Sequence, residues 1–103
     1  MTAALSPSRA LEELLELSPE IREGVLLDGE GRRLAGSRVL AGAAKDLLAA
    51  TRAFELEVGG PRGAVFAVRG DGVSAVVVCD RSALPALMLC DLRAVLARTA
   101  EDA

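Results

Sequence analysis

The sequence predicts an α+β domain of the three-layer α/β/α sandwich type, built on a five-stranded antiparallel sheet of order 2-1-5-4-3. Three observations carry that expectation. The hydrophobic period switches between about 3.6 and 2 along the chain, in the order helix, two strands, helix, three strands, helix. Strands 1–2, 3–4 and 4–5 are separated by turns too short for a crossover, so each pair runs antiparallel. Strands 1, 4 and 5 are apolar on both faces, strand 2 is short and polar, and strand 3 alternates, which sends 2 and 3 to the edges. The middle helix then covers one face of the sheet, and the first and last helices cover the other.

The first helix has Ser6 or Ser8 as its cap and Pro7 at its first position, and it ends at Ser18-Pro19. Ala10, Leu11, Leu14, Leu15 and Leu17 fall on one side, with Arg9, Glu12, Glu13 and Glu16 on the other as solvated surface. Glu23 to Asp28 form the first strand, Asp28-Gly29-Glu30-Gly31 a turn, and Arg33 to Gly36 a short return strand. A calcium loop would need more carboxylates at fixed spacing than this turn carries.

Ser37 caps a second helix that is expected to reach Ala53. Val39, Leu40, Ala43, Ala44, Leu47, Leu48 and Phe54 cluster on its broad apolar face. Arg38, Lys45 and Arg52 recur every seven residues and so form one outward stripe, with the small residues Ala41, Gly42, Ala49 and Ala53 around it. Phe54 to Val58 alternates as a strand with one wet face, and Gly59 to Arg62 turns the chain. Gly63 to Arg69 and Val73 to Cys79 follow as strands joined at Gly70-Asp71-Gly72. A last helix runs from about Ala83 to Arg98, capped by Ser82 or Asp80, with Pro85 in its first turn. Leu84, Met88, Leu89, Leu92, Val95 and Leu96 form its apolar face, and Thr99 to Ala103 reads as a frayed tail.

Length and composition narrow the function classes. The 103 residues make one domain, 1–103, with an ordered core over about 8–98. At 51% hydrophobic and 26% charged residues the chain is globular rather than disordered. Aromatic residues are only Phe54 and Phe66, and the net charge is -3, which argues against base stacking and phosphate binding and hence against a nucleic-acid partner. The chain has no His, which excludes histidine acid–base catalysis and His–metal sites. Two cysteines cannot staple a small secreted fold, the start shows no signal-peptide pattern, and no apolar run approaches the ~18 residues of a membrane span. A cytoplasmic protein without membrane insertion is expected.

No catalytic constellation emerges, and no cofactor or metal is expected. Cys79 and Cys90 read as small hydrophobes with no His to activate them. Arg69-Gly70-Asp71 reads as a hairpin turn, and Gly59-Gly60-Pro61-Arg62-Gly63 lacks the Lys-Ser/Thr of a phosphate loop. Glu12 and Glu13 share a wet helix face where nothing would shift their titration.

An edge strand beside a smooth helix invites a second chain. The expected interface of a two-fold homodimer comprises Gly42, Ala49 and Ala53 from the helix and Phe54, Glu55, Leu56, Glu57 and Val58 from the third strand. The competing reading is that Glu55 and Glu57 charge the edge and keep the chain monomeric. For Arg38, Lys45 and Arg52 a solvated helix face competes with a basic platform, doubled in a dimer, for an acidic partner surface.

The element order, with Gly24-Val25-Leu26-Leu27-Asp28-Gly29-Glu30-Gly31-Arg32-Arg33-Leu34-Ala35 at its first hairpin and a long Ala- and Leu-rich helix after it, resembles the roadblock family of dynein light chains and their bacterial relatives. The resemblance spans roughly Ser8 to Arg98 and rests on pattern and topology. It implies dimers formed through the middle helix and third strand. It also implies a Ras-like small GTPase as partner, engaged near that helix layer, because bacterial members include a dimeric GTPase-activating regulator of gliding motility. One Lys against eleven Arg fits a GC-rich bacterial genome and hence the bacterial branch. The resulting expectation is a non-enzymatic dimeric regulator or adaptor of a small GTPase, which stimulates hydrolysis or only binds. Two other readings stand beside it: a nucleotide-independent scaffold that pairs with a kinase or another roadblock-type chain, and a small-ligand sensor, which the aliphatic core disfavours.

Overall fold

A computed structural model describes residues 4–102. Its elements are α1 (Pro7–Leu17), β1 (Ile21–Asp28), β2 (Arg33–Gly36), α2 (Arg38–Ala49), β3 (Glu55–Gly60), β4 (Gly63–Arg69), β5 (Val73–Asp80) and α3 (Pro85–Leu96). The strands form one antiparallel sheet of order β2-β1-β5-β4-β3, as the distribution of apolar residues required.

Two cores result from the alternation of side chains across the sheet. Leu26, Phe66, Val73, Ala75 and Val77 face α1 and α3, where Ala10, Leu14, Met88, Leu92 and Val95 meet them. Val25, Leu27, Ala67 and Val76 face α2, which contributes Ala44 and Leu48. Antiparallel packing of α1 on α3 is pinned by two side-chain contacts, Ser18 Oγ donating to Asp91 (3.1 Å) and Arg98 donating to Glu13 (2.5 Å).

Ser6 is the cap of α1, its hydroxyl accepting from the Arg9 amide (3.3 Å), and Ser37 caps α2 in the same way through Leu40 (3.1 Å). Several boundaries and faces differ from the sequence reading. Leu15 and Leu17 are exposed: Leu15 lies about 140° from Ala10 around the helix, and Leu17 is its last residue. β1 begins at Ile21, paired with Cys79 across a bulge. Helix α2 stops at Ala49, so Ala53 and Phe54 are not helical. Its packed stripe is Leu40, Ala41, Ala44, Leu47 and Leu48, which leaves Ala43 and Val39 outside, the latter 88% exposed.

Helix α3 has no side-chain cap. The Asp80 carboxylate is taken by Ser82, through both amide and hydroxyl, and this holds it below its usual range. The helix therefore starts at Pro85, and Leu84 stays exposed. The expected frayed tail is anchored instead: Leu5 donates to the Arg98 carbonyl (2.7 Å) and accepts from the Ala100 amide (3.0 Å). Ala103 lies outside the described residues.

Asp28 is a buried carboxylate with a structural task. It accepts from the amides of Glu30 and Arg32 and from Arg32 Nε, each at 2.9 Å, and so shapes the β1–β2 turn. Backbone hydrogen bonding from Arg32 is the main cause that lowers its pKa below the ordinary 3.8. A lowered folded pKa stabilises fully above the unfolded value and is lost as the pH falls through the folded one. Asp28→Asn should therefore lower the urea midpoint at neutral pH, and its gap to wild type should close as the pH drops below about 4; a gap that is constant from pH 7 to 3 would refute this role.

Cys79 is buried in the α1/α3 core, and desolvation pushes its thiol up to about 11, while Cys90 is exposed on α3. Only a thiolate reacts readily. A disulfide-exchange reagent at pH 8 should titrate one thiol in the native chain and both in denaturant; two rapid native thiols would contradict the burial of Cys79.

Candidate interaction surface

One helix cannot cover a five-stranded sheet, and α2 lies over β1 and β2. The α2 side of β3 is left partly bare at Val58, while on β4 Ala67 is buried and Val65 half-buried. An apolar groove of about 230 Å³ runs between α2 and the sheet, lined by Leu40, Ala43, Ala44 and Leu47 on the helix and Val58, Val65 and Val76 on the strands. A second hollow, about 410 Å³, continues from Val58 and Val65 to Val78 under the Pro61-Arg62 turn. Val58 is 46% and Phe54 76% exposed, so large apolar side chains sit in water along this strip.

Strand β3 pairs only with β4, and its outer edge is unpaired. Alternation separates its two faces. Glu55 points to the α3 side, where Arg93 donates to it at 2.6 Å, and the same bond holds the Arg93 guanidinium above its usual range. Glu57 shares that face, while Leu56 and Val58 share the α2 face. The edge carboxylates therefore charge the side of β3 that lies away from the apolar groove.

Of the expected interface residues, Gly42 and Ala49 are exposed on α2, with open space where a Gly42 side chain would stand. Ala53 and Phe54 lie on the connection between α2 and β3. Leu56 and Val58 carry the strip onto the strand. Leu56 and Val58 thus lie on the α2 side of β3, Glu55 and Glu57 on its α3 side, and Gly42 and Ala49 on the exposed face of α2.

The cationic stripe is not continuous. Arg38 opens α2 and Lys45 lies about 10 Å further along it, but Arg52 falls beyond the helix end. All three are exposed, and among the described residues none is in an ion pair. The Lys45 stem lies against the β1–β2 turn, where Gly31 has φ +85° and any side chain would come within 2.8 Å of it. Among the described residues no three His, Cys, Asp or Glu gather in a way that could hold a metal, and no helix is long and apolar enough to cross a membrane.

Two features were missed from the sequence. Val39 was assigned to the packed face and is exposed. Arg69, read only as the end of a strand and the start of a turn, donates to the carbonyls of Leu48, Thr51 (2.7 Å) and Ala53 (3.1 Å). A lone cation that closes an apolar strand was the available signal.

No family model matches the sequence, and no curated protein is similar enough to count as a match. Solved structures do match. A Roadblock/LC7 domain from Streptomyces avermitilis shares 16% identity at a TM-score of 0.71, covering 84% of this chain and 88% of that one. The gliding protein MglB from Thermus thermophilus shares 25% at 0.65, with 91% and 87% covered. An MglB with a tetrameric arrangement shares 22% at 0.71, with 84% and 79% covered. A profilin from Acanthamoeba castellanii is more distant in shape, with 15% identity at 0.58 and 84% and 90% covered. With its strand order and three helices, the chain has a roadblock fold similar to that of MglB.

Proposed function

We propose that this chain is a bacterial, cytoplasmic, non-catalytic regulator that pairs with a second copy of itself and binds a Ras-like small GTPase. The observation that carries the reading is the bare apolar strip along α2, residues 50–54 and β3, continuous with an unpaired strand edge. A second copy related by a two-fold axis fits it. Gly42 and Ala49 let two α2 helices approach closely, Phe54 and Val58 supply apolar area, and the β3 edges offer backbone donors and acceptors. The similarity to an MglB with a tetrameric arrangement supports self-association.

The GTPase reading rests on the resemblance to bacterial roadblock regulators and on the exposed, unpaired Arg38, Lys45 and Arg52. On a chain of net charge -3 these make a local basic surface beside α2, suited to an acidic partner.

Sedimentation of the wild-type chain at tens of micromolar should show a dimer, and Val58→Lys combined with Gly42→Leu should shift it to monomer; a monomeric wild type would end the self-association reading.

Arg38→Glu with Arg52→Glu should leave the dimer intact and weaken capture of a small GTPase from native lysate at least about tenfold. Capture is run with GDP and with a non-hydrolysable GTP analogue. Recovery in one nucleotide state supports regulation, equal recovery in both assigns the chain to a scaffold, and undiminished capture by the double variant removes the basic residues from the site.

A further inference from the structure

We propose that Arg69 is the positioning residue of the self-association surface, holding its helical and strand halves in one fixed relation without itself forming the contact. The inference rests on the pairing reading above. Its ground is the end of α2. A helix leaves its last four carbonyls without partners and concentrates negative partial charge there, and α2 has no basic residue in its last turn. The Ala50 amide takes the carbonyls of Asp46 and Leu47 (3.1 and 3.2 Å). The Leu48 carbonyl is taken by Arg69, reaching up from the end of β4.

The same guanidinium continues along the connection, through Nη2 to Thr51 (2.7 Å) and Nε to Ala53 (3.1 Å), while the Arg69 amide donates to the Phe54 carbonyl at 2.7 Å. Carbonyls from residues 48, 51, 53 and 54 therefore converge on one residue of the sheet. The other bond within the connection, Ala53 amide to Thr51 Oγ (3.1 Å), is local and ties it to nothing outside.

This placement matters because residues 50–54 join the two halves of the strip. Gly42 and Ala49 lie before them, Leu56 and Val58 after them, and Phe54 projects into solvent at their end. A connection left free would have to be ordered at the moment of association, at the expense of affinity. Arginine suits the task because its planar fork spans several acceptors at fixed angles, whereas a lysine ammonium supplies the charge from a single point.

The test compares the full-length wild type with Arg69→Met, Arg69→Lys and a control, Val77→Ala, in the core on the opposite face of the sheet. Sedimentation gives the dissociation constant, urea the midpoint, and amide hydrogen exchange the order of residues 50–54. Arg69→Met is expected to speed exchange over 50–54 and to raise the dissociation constant about tenfold or more. Val77→Ala should lower the midpoint and leave association unchanged. Arg69→Lys, also the fallback should Arg69→Met not fold, is expected to recover part of the midpoint but not the association. Association of Arg69→Met equal to wild type, full recovery of association by lysine, or an equal loss in the control would each overturn the inference alone. A monomeric wild type would overturn the pairing reading and this inference with it.

Discussion

The structure turns on a mismatch of widths. Five strands about 4.8 Å apart span some 19 Å between their outer members, whereas a helix with its side chains is about 10 Å across. Two helices, α1 and α3, suffice for one face of the sheet. On the other face α2 stands alone, and it sits over β1 and β2 rather than at the centre. Everything distinctive about the molecule lies where that cover runs out: the apolar groove, the exposed Phe54 and Val58, and the half-buried Val65.

The edge of the sheet is guarded on one side only. Glu55 and Glu57 place their charge on the α3 side of β3, and Glu55 is partly neutralised there by Arg93. An edge protected against pairing would also carry charge or proline among the residues beside the groove. Leu56 and Val58 stand there instead. The same strand that reads as half-charged in sequence is, on the side facing α2, an uninterrupted apolar surface.

Alternation and periodicity made the sheet order legible, because a strand that is apolar on both faces must lie between neighbours with helices above and below. They could not show how far the cover extends. Val39 is apolar but lies about 140° from Ala44 around α2 and so falls outside its packed stripe, and Phe54 matches the helical period but lies beyond the helix end. The end itself had no local signature, since Ala50, Thr51, Arg52 and Ala53 contain no glycine or proline, and what receives the free carbonyls is an arginine on a strand two elements later. The anchoring of Ala100 by Leu5 is equally non-local, joining the two ends of the described chain. At α3 the helix-capping residue types were present in Asp80 and Ser82, but they bonded each other and left the helix uncapped.

A shared fold does not choose a function. Roadblock domains and profilins both match this architecture, so the choice must come from the surface. If a second copy occupies the strip, the apolar area beside β3 is consumed, and a further partner must meet what pairing leaves outside. Arg38 opens α2 and Arg52 lies just beyond its end, and a two-fold axis across the middle of that helix would bring each near its counterpart's opposite end. Pairing would then gather charges that one chain holds apart into two equivalent basic patches. Because Gly42 and Ala49 share the outward face of α2 with Arg38 and Lys45, the distance at which two such helices would meet also sets how close the two patches would lie.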